Sequence, residues 1–124
     1  YCIDASVRVM SAHRSPTLVS EFVSGAREAG YQAIICGAGM AAHLAGAVAA
    51  QTTLPVIGVP LSGGAINGWD SLLATVQMPK GIPVATVAVD GAMNAALLVV
   101  QMLGISDPAL VAELEAHRAE MVPK

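Results

Sequence analysis

From Ala29 to Ser106 the only charged side chains are Asp70, Lys80 and Asp90. A stretch so short of charge cannot face water on many sides, so most of it must be covered. The apolar runs inside it, "YQAIICG", "LPVIGVP" and "IPVATVAV", are continuous rather than alternating. Continuous Val/Ile/Ala strands are buried on both faces, which marks a parallel sheet between helices. The run Ala33 to Ala50 has no charge and invites a membrane reading. That reading is rejected: Gly37 and Gly39 break its centre, His43 is polar, and its first part reads as a strand. No basic flank or signal-type segment precedes it. Burial against further copies of the chain accounts better for the missing charge.

The length, 124 residues, suits one domain with one core. A net charge of −3 gives no footprint for nucleic acid, and neither nucleic acid nor membrane is expected as a partner. Cys2 and Cys36 form no disulfide framework; Cys36 reads as a small buried hydrophobe. Such cysteine usage fits the cytoplasm.

Strand and helix signals alternate. "SVRVM" (Ser6 to Met10) is predicted as a strand. Ser15 as N-cap and Pro16 at the first position open a helix to about Ala29, stopped at Gly30. "YQAIICG" is a strand, followed by a helix from about Met40 to Gln51. "LPVIGVP" is the next strand, and the loop "LSGGAING" leads to a helix over Asp70 to Gln77. "IPVATVAV" is a strand, and residues from about Ala92 to Leu103 form a helix ended by Gly104. A last helix, about 107 to 121, starts at Ser106 or Asp107 with Pro108 just inside. It carries most of the charge and reads as an outer arm. The alternation predicts an α/β domain with a parallel sheet.

In such sheets ligands bind beyond the carboxyl ends of the strands. Three loops leave those ends. "SAHR", Ser11 to Arg14, holds a fork of donors suited to phosphate beside an imidazole that can take a proton. Ser15 and the next helix's amides add donors for an anion. The bland alternative pairs Arg14 with a surface carboxylate and leaves His13 as a strand end. "GAGMAAH", Gly37 to His43, has glycines that permit close backbone approach, and it puts His43 in the first turns of an Ala-rich helix. A satisfied core histidine is the alternative there. The third loop, Pro60 to Asp70, reads as either a lid or a connector, with Asp70 as N-cap and Trp69 packing. Asn94 reads as a cap for the helix at Ala95. No cluster has metal-ligand spacing, and no nucleophile elbow or Walker motif is present.

Taken together, "SAHRSP", "GAGMAAHLAG", "LPVIGVPL", "DSLLATVQMPKGIPVATVAV" and "NAALL" resemble the PurE family, the N5-carboxyaminoimidazole ribonucleotide mutases of purine biosynthesis. The likeness runs from about Ile3 to Leu103. It implies a three-layer α/β/α sandwich with a flavodoxin-like parallel sheet, assembled as a homo-octamer with sites at subunit contacts. It implies isomerase chemistry without metal or organic cofactor: a carboxyl group moves from the exocyclic nitrogen of the ribonucleotide to ring carbon C4. By the same resemblance His13 is catalytic and His43 belongs to the catalytic set. Ser11, Ala12 and Arg14 hold the nucleotide, with Gly37, Ala38 and Gly39 as the glycine block.

The chain departs from the family pattern. The family's first strand and helix, with a "GSxSD" phosphate loop, do not precede Tyr1, and that strand would lie centrally in the sheet. Met40 stands where glycine is usual and Ala45 where proline is usual, and "VAVDGAMNAALL" is shorter than in many bacterial members. Two further readings stay open: an aminoimidazole ribonucleotide carboxylase using carbon dioxide directly, and a catalytically inactive nucleotide-binding subunit. The carboxylase subclass usually carries lysine where Arg14 stands.

Overall fold

A computed structural model describes residues 1–124. Its elements are α1 (Pro16–Ala26), β1 (Ile34–Gly39), α2 (Leu44–Ala49), β2 (Val56–Leu61), α3 (Trp69–Val76), β3 (Ala85–Thr86), α4 (Ala92–Gly104) and α5 (Pro108–Glu120). The sheet has three strands in the order β1-β2-β3. All pairings are parallel, with Ile34 opposite Val56 and Ile57 opposite Ala85. The predicted parallel sheet and strand–helix alternation are therefore present.

Strand β2 shows why its run is apolar throughout. Val56 joins a cluster with Val19 and Val23 of α1, Cys36 of β1, and Ala45, Val48 and Ala49 of α2. Its neighbours in sequence, Ile57 and Val59, point the other way, onto Ala95, Leu98, Val99 and Met102 of α4. Successive strand residues face opposite sides, so a sheet with helices on both faces needs no polar positions. Gly58 lies on the first face, where α3 comes so close that a Cβ would strike Thr75 Cγ2 and stand 3.1 Å from Val84. Helices α1, α2 and α3 thus cover one face and α4 the other, with α5 packed on α4. Cys36 is buried as expected, and that burial pushes its thiol up to about 12.

The clearest departure from expectation is "SVRVM". It forms no strand: residues 1 to 10 make no ladder bond, and Val7 and Val9 are 91% and 97% exposed. In flavodoxin-like strand order such a strand pairs only with the sheet's first strand, and the described residues contain none. The segment is held from the side instead. Arg8 lies 5.2 Å over the Phe22 ring, and Phe22 meets Tyr31 edge-on. Ser6 and Arg8 beside the Tyr31 hydroxyl lower its pKa.

Other boundaries move for local reasons. Helix α1 ends at Ala26, and turns carry the chain to Gly30 in the left-handed region, φ 93°. Helix α2 begins at Leu44, because Met40 adopts φ 52° and tight turns occupy residues 40 to 43. Helix α3 begins at Trp69 with Gly68, φ 98°, as its N-cap. Asp70 therefore sits in the first turn, where its charge suits the positive helix end, and it is not the cap. Trp69 is 65% exposed and does not pack. Gly91, not Asn94, caps α4. Asp107 caps α5 as read, accepting from the Ala109 amide at 3.1 Å.

Candidate active site

The turn "SAHR" is closed by its own serines. Ser15 donates its amide (2.9 Å) and its hydroxyl (3.0 Å) to the Ser11 carbonyl. The Ser11 amide donates back to Ser15 Oγ at 3.2 Å, and the Arg14 amide donates to Ser11 Oγ at 3.1 Å. These bonds fix Ala12, His13 and Arg14 at the entry to α1. Ser15 is the N-cap residue, but its side chain is used up on Ser11 and caps nothing. The first-turn amides of α1 therefore face outward without a side-chain partner, next to Arg14. No carboxylate lies within ion-pair distance of Arg14. A fork of donors beside a positive helix end is an anion site by chemistry.

His43 is the N-cap residue of α2 rather than a member of its first turns, and it is exposed rather than a core histidine. Its Nδ1 lies 2.8 Å from His13 Nε2, with the rings edge-on at 4.8 Å between centroids. The two histidines read separately from the sequence are thus one unit. A hydrogen bond between two ring nitrogens needs one N–H and one lone pair, so the pair holds a single shared proton along that axis. The other nitrogen of each ring remains available to a ligand or to water.

The glycine block is the end of a strand rather than a free loop. Gly37, Ala38 and Gly39 pair with Val59, Pro60 and Leu61, and the Leu61 side chain lies against Gly37. Met40 is the first residue beyond the ladder. Ala42 donates to the Met40 carbonyl and His43 to the Ala41 carbonyl, each at 2.8 Å, so two overlapping tight turns lead from Met40 to His43.

Each loop that follows a strand holds a non-glycine residue in the left-handed region: Met40 (52°) directly after β1, Asn67 (52°) at the far end of the loop after β2, and Asp90 (60°) after β3. Such strain persists where the surroundings impose it, and it clusters at functional ends of folds. The surroundings are visible for the loop after β2. Ser71, fully buried, donates its hydroxyl to the carbonyls of Leu61 (2.8 Å) and Gly68 (3.0 Å), pinning both feet of the loop. The Asp90 carboxylate accepts the Ser62 amide at 2.9 Å and the Ser62 hydroxyl. Sequence reading missed Ser62, Ser71 and Asp90. The Asp-Gly pair at 90–91 carried the signal, since aspartate tolerates the left-handed region.

The two Ser62 bonds, the hydroxyl foremost, hold the Asp90 carboxyl below the usual aspartate range. A lowered folded-state pKa means stability present above the unfolded value, about 3.9, and lost as pH falls through the folded one. The stability gap between the wild type and Asp90→Asn should therefore be full at pH 7 and shrink below pH 4 in denaturant titrations.

Comparison with known proteins identifies the family. The family model described as AIR carboxylase matches residues 1–124. An N5-carboxyaminoimidazole ribonucleotide mutase of Pyrococcus abyssi is 52% identical over 119 residues, 96% of this chain and 68% of that protein. The Mycobacterium tuberculosis mutase (strain H37Rv) is 57% identical over 116 residues, 94% of this chain and 67% of its own. A chloroplastic phosphoribosylaminoimidazole carboxylase of Vigna aconitifolia is 53% identical over 114 residues, 92% of this chain but 20% of that longer protein. The chain spans about two thirds of the two microbial mutases. With its whole length matched and half or more of its residues identical to these relatives, the chain belongs to the AIR carboxylase family, known also as PurE.

Proposed function

We infer that the chain is an N5-carboxyaminoimidazole ribonucleotide mutase, an isomerase of purine biosynthesis. The observation that carries the chemistry is the 2.8 Å contact of His13 Nε2 with His43 Nδ1 beside the unpaired Arg14. The names of the microbial relatives support the substrate.

The proton count defines the role of each residue. The carbamate N–C bond breaks, carbon dioxide leaves, and the exocyclic nitrogen takes a proton from His13 in its imidazolium form. Ring carbon C4 then attacks carbon dioxide, forming the new C–C bond, and its hydrogen passes to His13, now neutral. No net proton is gained or lost, and one ring acts as acid and then as base. A neutral ring alone is a poor acid, so the first proton has to be present on the pair at the start. His43 orients the ring through Nδ1 and shares that proton. Arg14, Ser11 and the open amides of α1 hold the phosphate, which fixes the heterocycle against His13. Ala12, Gly37, Ala38 and Gly39 shape the floor.

Carbon dioxide must stay in the site between the two steps, yet His13 and His43 are exposed in a single chain. Met40 (59%), Ile66 (59%) and Trp69 (65%) are also exposed at the strand-exit end or on its loops. We propose that further copies cover this end, in the octamer that the resemblance implies; light scattering measures the assembly. No helix is long and apolar enough to cross a membrane. We propose the cytoplasm as the compartment, since charged, phosphorylated intermediates are retained there.

The deciding assay offers the purified chain either the carbamate or the unmodified ribonucleotide with bicarbonate. Conversion of the carbamate alone at low bicarbonate supports the mutase. Turnover only with bicarbonate supports the carboxylase, and ligand binding without either reaction supports an inactive subunit.

A further inference from the structure

Strand β3 ends in an irregularity that aims one side chain. Val87 donates to the Gly58 carbonyl (3.2 Å), and the next bond to β2 is Asp90 to the Pro60 carbonyl (2.8 Å). Residues 87 to 90 on one strand therefore span 58 to 60 on the other, one residue too many. Extra residues of this kind bend a strand and redirect a side chain, often next to an active site. Here the redirected residue is Asp90, held at φ 60°. It grips the end of β2 three times: by its own amide to Pro60, and by its carboxylate to the amide and the hydroxyl of Ser62.

Ser62 opens the loop 62–68, whose feet Ser71 pins. Gly64 in that loop lies under Met40: a Cβ built on Gly64 would stand 3.2 Å from Met40 Cγ. Met40 is tied through the tight turns at 40–43 to His43, and His43 holds His13. The Asp90–Ser62 bonds, the chain from Ser62 to Gly64, the close approach of Gly64 to Met40 and the turns at 40–43 thus link Asp90 to the histidine pair.

We propose that Asp90 is a positioning residue for this reaction: by clasping Ser62 it sets the loop 62–68 and, through Met40, the place of the His13–His43 pair. The proposal rests on the mutase reading for its kinetic test but not for its structural one. Asp90 touches no reacting atom. Its loss should spare phosphate binding at Arg14 and impair chemistry, because misplacement of about 1 Å can cost a hundredfold in rate.

Three variants separate the possibilities. Asp90→Gly removes the clasp and keeps the left-handed backbone accessible. Asp90→Asn can accept from the Ser62 amide and donate to its hydroxyl, so it keeps the clasp without the charge. Ser62→Ala removes one bond and serves should Asp90→Gly fail to fold. With the carbamate as substrate, kcat should fall about 10- to 100-fold in Asp90→Gly and several-fold in Ser62→Ala, with KM within about threefold. Asp90→Asn should stay within a few-fold of wild type. Amide hydrogen exchange of residues 62–68 should speed up in Asp90→Gly and in Ser62→Ala, and not in Asp90→Asn. Wild-type kcat together with unchanged exchange in Asp90→Gly, or in Ser62→Ala if the first does not fold, overturns the proposal. A wild-type chain that leaves the carbamate untouched overturns the mutase reading instead, and the exchange measurement then decides the clasp by itself.

Discussion

His13→Asn is expected to lower turnover of the carbamate by roughly 10²- to 10⁴-fold, the range for loss of a positioned acid–base group. Affinity for the ribonucleotide should stay within about threefold, because the phosphate contacts belong to Arg14, Ser11 and the amides of α1. The shorter asparagine ends near the position of His13 Nδ1 and does not reach His43 Nδ1, so the titrating group and its bond to His43 are lost together. His13 is exposed, and the fold should change by no more than about 0.5 kcal/mol. Adding His43→Asn to His13→Asn should cost little more, since residues that act as a unit are far from additive. Initial rates and equilibrium binding on the two variants check this. A single variant with near wild-type kcat removes His13 from the mechanism.

Gly58→Ala is the substitution expected to damage the fold most. The added methyl would strike Thr75 Cγ2 of α3 and crowd Val84 at 3.1 Å and Ala45 at 3.4 Å. Thr75 is 2% exposed and donates its hydroxyl to the Ser71 carbonyl at 2.7 Å, so it cannot swing away without breaking a buried bond. Overpacking of this kind costs about 1–3 kcal/mol, and a buried bond left unmade adds about as much again. A fall in Tm of roughly 6–20 °C follows for a domain of this size. Because Ser71 also pins the loop after β2, activity should fall in the same variant. Calorimetry that found Tm unchanged would contradict the close packing of α3 on β2.

The legible parts of the fold were those where one physical requirement dominates. Strands β1 and β2 lie under helices on both faces, so apolar continuity announced them. Pro16 and Asp107–Pro108 marked helix starts through local chemistry. "SVRVM" failed because the pattern of a strand states only that it would pair, and its partner is not among the described residues. "IPVATVAV" shrank to Ala85–Thr86: at its start Ile82 is held in a turn by the Pro79 carbonyl, and at its end the extra residue between Val87 and Asp90 breaks the register, which pattern does not reveal. At the site, His13, His43 and Arg14 were legible through the family motifs. Their meeting was not, since it depends on how α1 and α2 sit on β1. The Asp90–Ser62 clasp joins residues 28 apart in sequence and belongs to neither motif.

Met40 shows how the two views inform each other. The resemblance says glycine is usual there, and the structure gives φ 52°, a conformation that favours glycine. The strain is held by the turns that deliver His43.

The most direct test of the account is a crystal structure of the chain with the 4-carboxylated ribonucleotide bound. The account predicts the phosphate on Arg14 and the first turn of α1, with ring carbon C4 within about 3.5 Å of a His13 ring nitrogen. A heterocycle seated away from the histidine pair, or a phosphate held elsewhere, would contradict it.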